Sequence, residues 1–442
     1  VNPLNTIEFY AAFASGGLWY TNNNGQSFTP VFDNEAVMTI GDVAVNWSVT
    51  PHQIWVGTGE ANSSRSSYAG VGMYFSADAG KTWQYKGLPE SQHIGKVLIS
   101  PDNRDEVIVA VLGHLYSENK ERGIYKTLDG GATWKQVLYV NDTTGAIDVQ
   151  RDPENRNTLY ACMWQRDRRA WNFTGSGNGS GIYKSTDDGE TWTLLTTPTS
   201  GFPTGTGVGR IGLTIFRGNT NVLYATVDNQ FHKPEEKADT SVYAVKDFQN
   251  MSADAFAKLD DKKLNSFLRN NGFPDKYDAT SVKQMVADGK IKPQALVDFL
   301  NDANNSLFDT PVIGEEVYHS MDGGHTWKKM SDEKLSDLVY TYGYYFGKIY
   351  VSKFDIKRLF VLGVPLLMSE DAGKTWKDID GDNVHGDHHA VWLDEMKDGH
   401  MIIGNDGGIN ITYDYGQHWV KCNSPAVGQF YSVTVDDAKP YN

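Results

Sequence analysis

Short runs of aliphatic, β-branched and aromatic residues recur along the chain, and turns rich in Gly, Asn, Asp and Pro separate them. Runs of this kind predict β-strands, because such side chains pack well on a pleated, half-buried surface. The strands come in sets of four, and one complete set covers residues 96–101, 106–111, 123–126 and 135–139. The pattern therefore predicts a chain built from repeated four-stranded units.

An eight-residue pattern, Ser/Thr-x-Asp-x-Gly-x-Thr-Trp, lies between the third and fourth predicted strands of these sets. Its close and degenerate copies begin at Thr21, Ser76, Thr127, Ser185, Ser320, Ser369 and Thr412. The Asp can accept hydrogen bonds from its own turn, the Gly allows a positive φ, and the Trp buries aromatic surface between neighbouring sets. Seven similar copies indicate an architectural staple, so we predict an all-β, seven-bladed β-propeller.

One interval between the repeats is much longer than the others. The copies begin 55, 51, 58, 135, 49 and 43 residues apart, against roughly 40 to 50 residues for a typical blade. An additional blade is one interpretation; we favour one blade plus an insertion at 231–313, in blade five as counted by the repeats. Residues 252–269 and 294–303 have apolar positions near the helical period, which predicts a small helical lid on one face.

The two ends of the chain complement each other. Residues 8–13 have the pattern of a second strand without a first strand before it, whereas residues 429–435 have the pattern of a first strand without a second after it. We therefore predict a single propeller over residues 1–442, in which the C-terminal strand 429–436 completes the N-terminal blade. Such closure would remove an open sheet edge.

Composition narrows the classes of function. The formal net charge of −15 argues against generic binding to nucleic acid or to an anionic membrane. No apolar run is long enough for a transmembrane segment, and the two cysteines, Cys162 and Cys422, are too few for a disulfide framework. The chain starts at Val1 without an initiator Met or a signal peptide, so we interpret it as a mature or trimmed piece, compatible with export.

Chemistry is expected on one face of the propeller, where the loops after the second and fourth strands of every blade meet around the channel mouth. Long polar loops on a rigid scaffold are common binding sites, whereas the opposite face is expected to carry short turns. The expected loop segments are 60–65, 114–122, 165–169, the helical insertion and 385–389, together with His93, Asp148, Arg210, Tyr344 and Tyr345.

Arginine is the residue type best suited to bind an anionic group on this face. A solvated loop is the alternative interpretation for the arginine run at 165–169. The predicted ligand-binding residues are Arg65, Arg166, Arg168, Arg210, Asp387 and His388.

A His- and Asp-rich segment, residues 385–389, precedes a predicted inner strand. His and Asp suit a divalent transition metal, but adjacent strand residues point to opposite faces. Only alternate members such as Asp387 and His389 could share a site, and they are weak metal candidates. A hydrogen-bonded structural cluster is the favoured interpretation, and no cofactor is expected.

The repeat resembles the Asp-box, or BNR repeat, of the β-propellers in sialidases, xyloglucanases and sortilin-type (VPS10-like) proteins. The chain is most similar to the bacterial sortilin-N-terminal or "BNR glycosyl hydrolase-like" group of exported proteins, through residues 55–62, 144–148, 209–212 and 404–408. The resemblance implies an extracellular or cell-envelope location. It also allows a second propeller beyond this chain, or a place in a larger envelope complex.

Glycoside hydrolysis would require two carboxylates roughly 5–10 Å apart, and the candidates are Glu60, Asp148 and Asp387. Gly386-Asp387 before an inner strand is similar to the acid-bearing segment of the xyloglucanases. Residues 57–61, however, lack the Asp of the Gly-Thr-Asp-Ile-Gly-Gly-like segment of that group. The Arg-Ile-Pro opening of sialidases is not found either.

Two functional hypotheses follow. The first is a non-catalytic binding or scaffold propeller whose loop-rich face binds a protein or a glycan. The second is a xyloglucanase-like glycoside hydrolase acting on a polysaccharide. The resemblance predicts the fold more firmly than the activity, because one fold hosts many functions.

Overall fold

The computed structural model describes residues 1–233, 243–274, 276–300, 312–330, 335–340, 342–423, 425–428, 432 and 434. The chain divides into two compact units. The first comprises Val1–Phe231 and Ile313–Asn442, and the second comprises His232–Val312. In the described part of the chain, every helix is too short or too polar to span a lipid bilayer.

The first unit is a seven-bladed β-propeller, as the sequence predicts. The described residues form one three-stranded blade and six four-stranded blades, all antiparallel, with a small ribbon (β14–β15) in blade four. Blade one contains β1 (Phe9–Phe13), β2 (Gly17–Thr21) and β3 (Thr29–Pro30). Blades two and three contain β4 (Ile40–Asn46), β5 (Gln53–Thr58), β6 (Met73–Ser76), β7 (Gln84–Tyr85), β8 (Ile94–Ile99), β9 (Val107–Val111), β10 (Gly123–Thr127) and β11 (Lys135–Leu138).

The remaining blades follow in chain order. Blade four contains β12 (Thr144–Arg151), β13 (Leu159–Gln165), β14 (Asp167–Arg168), β15 (Phe173–Thr174), β16 (Gly181–Ser185) and β17 (Thr193–Leu194). Blade five contains β18 (Val208–Ile215), β19 (Leu223–His232), β20 (Val312–Ser320) and β21 (Lys328–Lys329). Blades six and seven contain β22 (Lys348–Val351), β23 (Leu359–Leu362), β24 (Leu366–Ser369), β25 (Lys377–Asp378), β26 (His388–Leu393), β27 (Met401–Asn405), β28 (Gly408–Thr412) and β29 (Val420–Lys421).

The first strands of neighbouring blades pack side by side and form the inner ring. Glycines allow the close approach, because a Cβ at Gly41 would lie 2.0 Å from the carbonyl oxygen of Ile94. A bulge interrupts the pairing of β4, β8, β12, β18 and β26 near the start of each strand. Bulges redirect the side chains that follow them; in β4, β8 and β12 those residues are Asp42, Lys96 and Asp148.

The repeat acts as a staple, as predicted. In blade three the hydroxyl of Thr127 accepts from the backbone N–H of Gly131 at 3.0 Å, and Asp129 accepts from that of Thr133 at 2.9 Å. Gly131 has a φ of 80°, which glycine adopts without steric cost. The indole N–H of Trp134 donates to the carbonyl of Lys86 at 2.7 Å. Because Lys86 belongs to blade two, Trp134 joins its blade to the preceding one. Trp83 and Trp419 do the same through Val31 O and Ile379 O, whereas Trp192 and Trp327 donate to Gly189 and Gly324 of their own boxes.

The second unit is helical, and its helices have a hydrophobic core of their own. It contains a 3-10 helix (Val245–Phe248), α1 (Ala253–Ala257), α2 (Asp261–Asn270), α3 (Ala279–Ala287) and α4 (Gln294–Leu300). The single helix predicted at 252–269 is wrong in one respect, since the side chain of Asp260 accepts from Lys263 N and starts a separate helix there. Helix α3 was not predicted. Residues 301–303 of the other predicted helix lie outside the described residues.

The propeller unit contains two further short helices, a 3-10 helix (Pro89–Ser91) and α5 (Ser336–Val339). The predicted closing strand 429–436 lies almost wholly outside the described residues, so that closure stays a prediction. Just before it, the chain leaving blade seven runs along blade one, where Asn423 N donates to Gly25 O at 3.0 Å. Cys162 and Cys422 are both buried and unpaired.

Candidate functional site

Three long loops join the second and third strands of consecutive blades at one end of the propeller. They span residues 59–72 in blade two, 112–122 in blade three and 166–180 in blade four, and we call them the loop platform. Because antiparallel strands alternate in direction, these loops emerge at the end of the propeller opposite the Asp-box turns.

The blade-two loop is closed at its base by Thr58. Its hydroxyl accepts from Val71 N at 2.8 Å and Gly72 N at 3.0 Å, and donates to Gly72 O at 2.7 Å. Within the loop, the side chain of Asn62 accepts from the hydroxyl of Ser67. Short polar side chains of this type form turns by bonding their own loop. The segment is therefore an ordered turn rather than an open chain.

Arg122 organises the blade-three loop from inside. Its side chain is fully buried and donates to the carbonyl oxygens of His114 at 2.7 Å and Thr143 at 2.9 Å. Asn119 accepts from Arg122 Nε at 3.1 Å and from His114 N at 3.0 Å. Burial lowers the pKa of Arg122 to about 10. Arg122 therefore stabilises the loop from inside, a role that the sequence did not predict.

Arg166 and Arg168 join the blade-four loop to the other two loops. Arg166 Nη1 donates to the carbonyl of Asn62 at 2.9 Å and the hydroxyl of Ser63 at 2.6 Å, and Nη2 donates to the carbonyl of Gly113 at 3.3 Å. Arg168 Nε donates to the carbonyl of Ser63. Both arginines are buried, Arg166 completely. Their predicted role in binding an anion stays a prediction; in this structure they hold the platform together.

The outer surface of the platform is rich in aromatic residues. The hydroxyl of Tyr116 donates to the carbonyl of Arg65 at 2.8 Å, and Arg169 Nη1 donates to the carbonyl of Tyr116 at 3.2 Å. Trp171 is 86% exposed, Tyr68 60% and Tyr116 46%. The three loops thus present large, exposed aromatic rings on a backbone held by hydrogen bonds.

At the edge of the platform, Arg168 and Phe173 of the blade-four loop pack with Tyr344, which precedes blade six. The guanidinium of Arg168 lies 4.0 Å from the ring centre of Phe173 and 5.4 Å from that of Tyr344. Phe173 meets Tyr344 edge to face, with ring centres 5.0 Å apart. Burial raises the pKa of Tyr344, and the charges of Arg168 and Arg65 oppose that rise. The exposed Arg65 therefore lies on the same side as this cluster.

Deeper in this end of the propeller, Arg166 and Arg210 both approach the buried ring of Trp164, at 5.5 and 5.7 Å from its centre. The pKa of Arg166 lies well below its usual range, first because of burial and then because of the charges of Arg122 and Arg210. The structure thus brings together three of the four predicted arginines, Arg166, Arg168 and Arg210. Arg65 reaches the edge of the same group.

Two buried carboxyl groups accompany Arg210, and sequence reasoning missed both. Burial raises the pKa of Asp228 to about 6. Burial, followed by the nearby Asp228, raises the pKa of Glu315 to about 8. The hydroxyl of Thr226 donates to Glu315, and Gln230 donates to Asp228 at 2.6 Å. The available signal was the presence of acids within the strand-forming runs of β19 and β20.

The three candidate hydrolytic carboxylates have separate environments. Burial raises the pKa of Glu60, and the backbone of Tyr68 and the side chain of Ser67 oppose the rise. Asp148 lies within strand β12 and not in the preceding connection as expected; burial raises its pKa and Lys96 opposes the rise. Burial, then Asp406, raises the pKa of Asp387. In the described part of the chain, no hydrogen bond or electrostatic interaction joins any two of Glu60, Asp148 and Asp387.

Asp148 instead belongs to a set of charges on the inner strands. Lys96 Nζ lies 3.4 Å from Asp42 Oδ2, and Asp42 also accepts from the backbone N–H of Val97 at 2.8 Å. Burial lowers the pKa of Lys348 to about 8, and Asp42 and Asp148 oppose that change. Acids and bases thus alternate over blades two to four, as Asp42, Lys96 and Asp148. In the sequence, two of these charged residues could be recognised because each follows Ile-Gly at the start of an inner strand: Asp42 in β4 and Lys96 in β8.

The histidines at 388 and 389 have different partners. His388 is buried, with Nε2 2.9 Å from Asp380 Oδ1. His389 Nε2 lies 3.3 Å from Asp406 Oδ1, and its ring stacks on Phe346. Asp387, with a φ of 60°, is electrostatically coupled to Asp406 and the neighbouring histidines. Within the described residues, no group of three or more His, Cys, Asp or Glu side chains is placed to hold a metal ion.

Two family models match the sequence. Residues 71–274 match the sortilin-Vps10 model, described as "Sortilin, neurotensin receptor 3". Residues 295–441 match a model described as "Photosynthesis system II assembly factor YCF48". Each model covers less than half of the chain. A comparison with curated proteins finds no match.

Solved structures share the fold at low sequence identity. The GH74 xyloglucanase from Xanthomonas campestris is 13% identical, with a TM-score of 0.54 over 93% of this chain and 50% of that one. This chain therefore spans about half the length of that enzyme. YCF48 bound to D1 peptide is 12% identical, with a TM-score of 0.47 over 92% and 89% of the two chains. The lectin BP39L from Burkholderia pseudomallei is 9% identical, with a TM-score of 0.48 over 95% of each chain.

Proposed function

We propose that this chain, a seven-bladed β-propeller built from Asp-box (BNR) repeats, is a non-catalytic binding or scaffold module and that its loop platform binds a protein partner. The observation that carries this proposal is the set of exposed rings of Trp171, Tyr68 and Tyr116 on loops held together by hydrogen bonds. Exposed rings on a pre-ordered backbone lose little conformational entropy on binding.

The composition of the platform supports a protein partner. Trp, Tyr and Arg dominate the residues that contribute most to protein–protein binding, and the platform exposes Arg65 and Arg169 beside its aromatic rings. Tyr116 joins the two residues, because its hydroxyl donates to the backbone carbonyl of Arg65 and its own carbonyl accepts from Arg169 Nη1. A glycan is the other class of ligand for this face, because its sugar rings could stack on the same aromatic side chains.

The family matches support the same reading. One matching model describes a receptor and the other an assembly factor, and both descriptions denote proteins that bind partners. Each match extends over only part of the chain, so the partner of this protein is inferred from the chemistry of the platform.

Hydrolysis of a polysaccharide is the second candidate, favoured by the fold shared with a GH74 xyloglucanase. A purified sample incubated with a panel of β-glucans is expected to release no reducing ends, because Glu60, Asp148 and Asp387 each have different local partners and residues 57–61 lack the Asp of the xyloglucanase segment. Reproducible release that disappears in Asp387→Ala would promote the enzyme hypothesis above the binding hypothesis.

We also propose that the chain works outside the cytoplasm, in the cell envelope or beyond it, within a larger complex or a longer protein. The resemblance to exported Asp-box proteins supports this location. Fractionation of the source cells, followed by immunoblotting against the propeller, would test it.

The binding proposal can be tested with a displayed library of random peptides as the probe. The wild-type protein should enrich specific peptides, and Trp171→Ala should weaken their binding about tenfold or more, as at an interface hot spot. The matched control is Met321→Ala, which removes another exposed side chain from an Asp-box turn and should leave binding intact. Enriched peptides that bind Trp171→Ala and Tyr68→Ala as well as wild type would place the interface elsewhere.

A further inference from the structure

The channel contains a cavity of about 420 Å³ at its Asp-box end, the end opposite the loop platform. Blades four to seven provide most of its wall, and Lys96 of blade three contributes to its floor. Small-molecule sites in proteins have volumes of roughly 300 to 1,000 Å³. The cavity is therefore large enough for a small ligand, although sequence reasoning assigned no chemistry to this end.

Neutral polar groups with unused hydrogen-bonding capacity line the cavity. Within the described residues, the hydroxyl of Thr214 and the indole N–H of Trp392 form no hydrogen bond, although both residues line the cavity. Gln150 donates its amide N–H to Asp148 Oδ2 at 3.0 Å, which leaves its carbonyl oxygen available. The cavity thus offers the hydroxyl of Thr214, which can both donate and accept, the indole N–H of Trp392 as a donor, and the amide oxygen of Gln150 as an acceptor.

Aromatic rings form part of the cavity wall. Tyr350 and Trp392 come from the inner strands β22 and β26, and Phe354 at the rim is 47% exposed. Trp392 is held by the buried His400, which meets it edge to face with ring centres 5.4 Å apart. Asp394 in turn bonds His400 Nδ1 at 2.7 Å. A fixed, partly exposed indole is suited to stacking against the C–H face of a ligand.

Most of the charged side chains around the cavity are already paired. Lys96 lies beside Asp42 in the floor at 3.4 Å, and Arg217 pairs with Glu395 at the rim at 2.7 Å. The other charged pairs among the lining residues are Arg151–Glu106, Asp398–Arg358 and Asp394–His400. Lys353, an exposed residue at the rim, donates only to the backbone carbonyl of Glu395, at 3.1 Å. Because the other charged groups have internal counterparts, the interior of the cavity does not favour an isolated phosphate, carboxylate or ammonium ligand.

We propose that this cavity binds a neutral saccharide, one or two rings in size. Each hydroxyl of such a ligand both donates and accepts, which matches Thr214, Trp392 and Gln150, and its C–H faces match the aromatic wall. The site is separate from the loop platform and lies at the other end of the propeller, so it does not depend on the proposed protein-binding function.

The test uses saturation-transfer NMR of the whole chain with glucose, galactose, mannose, N-acetylglucosamine and cellobiose as probes, followed by titration of those that respond. At least one neutral saccharide should bind saturably, and Trp392→Ala should weaken binding about tenfold or more, equivalent to about 1.4 kcal/mol. Thr214→Val keeps the shape of the side chain and should weaken binding less. Leu128→Ala, an exposed residue in an Asp-box turn, should bind as wild type does.

Three results would overturn the proposal. The first is the absence of saturable binding by every neutral saccharide at tens of millimolar. The second is equal binding by wild type, Trp392→Ala and Thr214→Val, which would place the saccharide elsewhere. The third is binding of inorganic phosphate or glucuronate without binding of any neutral sugar. If Trp392→Ala fails to fold, Thr214→Val and Gln150→Leu decide the question, and unchanged binding in both contradicts the site.

Discussion

The carboxyl groups of Glu315 and Asp228 are buried in the propeller beside Arg210. Glu315 is 3% exposed and one of its oxygens, Oε2, has no hydrogen-bond partner within the described residues. A carboxylate in such a position is destabilised unless it is fully paired. Burial therefore favours the protonated acid, and the pKa of Glu315 rises to about 8.

This shift predicts a pH dependence of stability. An acid whose pKa is raised on folding makes its full stabilising contribution at pH values below its pKa in the unfolded chain, near 4.5. That contribution is lost as the pH rises through the pKa in the folded protein, about 8. The free energy of unfolding of wild type should therefore fall between these values, by at most about 1.4 kcal/mol per pH unit from this group. Urea denaturation across this range would measure the slope.

Glu315→Gln should flatten that pH profile, because the amide is uncharged at every pH. Glu154→Gln, which changes an exposed side chain, is the matched control and should keep the wild-type slope. A profile for Glu315→Gln identical to that of wild type would contradict the assignment.

The Asp-box carboxylates predict the opposite dependence. Hydrogen bonds from Thr133 lower the pKa of Asp129 to about 2, and those from Thr191 do the same for Asp187. Their stabilising contribution is therefore present above the unfolded value near 3.8 and is lost as the pH falls toward 2. Asp129→Asn should be less stable than wild type at pH 6, and the difference should shrink below pH 4. A constant difference at all pH values would contradict this explanation.

The tryptophan of the same box predicts a larger effect. Trp134→Ala removes the hydrogen bond to Lys86 O and the edge-to-face contact with the buried Trp55. We expect a loss of about 3 kcal/mol, the low end for a large aromatic truncation, because Trp134 is half-buried. Leu128→Ala in the same turn should change stability by less than about 0.5 kcal/mol. Equal urea midpoints for the two variants would mean that Trp134 does not join the blades.

Residue roles were the part least predictable from the sequence. The run at 165–169 shows a group of arginines, but the partners of Arg166 are Asn62 and Ser63, about a hundred positions earlier in the chain. No feature of the local sequence distinguishes an arginine that is exposed to solvent from one that donates to backbone carbonyls of another blade. The position of the loops, by contrast, followed from strand order alone.

At the scale of elements, strands and turns were predicted well because each blade repeats the same local signals. The helices were harder. Residues 252–269 have continuous helical periodicity, yet the cap at Asp260 divides them into α1 and α2. Helix α3 starts at an Asp278 capping box, but its short, β-branched sequence has weak helical propensity. Its stability comes from packing against the core of the helical unit, which no local pattern reveals.

The helical unit should be removable without unfolding the propeller. β19 and β20 are neighbouring strands of one sheet, so a short Gly-Ser linker can replace residues 235–310. Since the helices have their own core, we expect the thermal midpoint of the propeller to stay within a few degrees. Replacing the same residues with an unrelated small helical domain is the control. Loss of the cooperative propeller transition in both variants would contradict this independence.

At the scale of the whole molecule, the order of seven repeats predicted the ring, and closure is its remaining untested feature. Strand β1 is an edge strand among the described residues, and Asn423 and Val427 bring the end of the chain alongside Gly25 and Gly16 of blade one. Deleting residues 429–442 should expose the β1 edge and cause aggregation or a large fall in melting temperature.

The matched control for that deletion removes only residues 437–442, beyond the predicted closing strand, and should melt as wild type does. A full deletion with an unchanged melting curve would show that the ring does not need its C-terminal strand.

The chain enters and leaves the helical unit through adjacent antiparallel strands, and this arrangement has a mechanical consequence. A tensile force on the helices would act at the end of the β19–β20 pair and break the hydrogen bonds between the two strands one after another. A pull along the strands of any other blade would load many bonds at once in shear. Tension applied through the helical unit would therefore open blade five at its end while the rest of the ring keeps its shape.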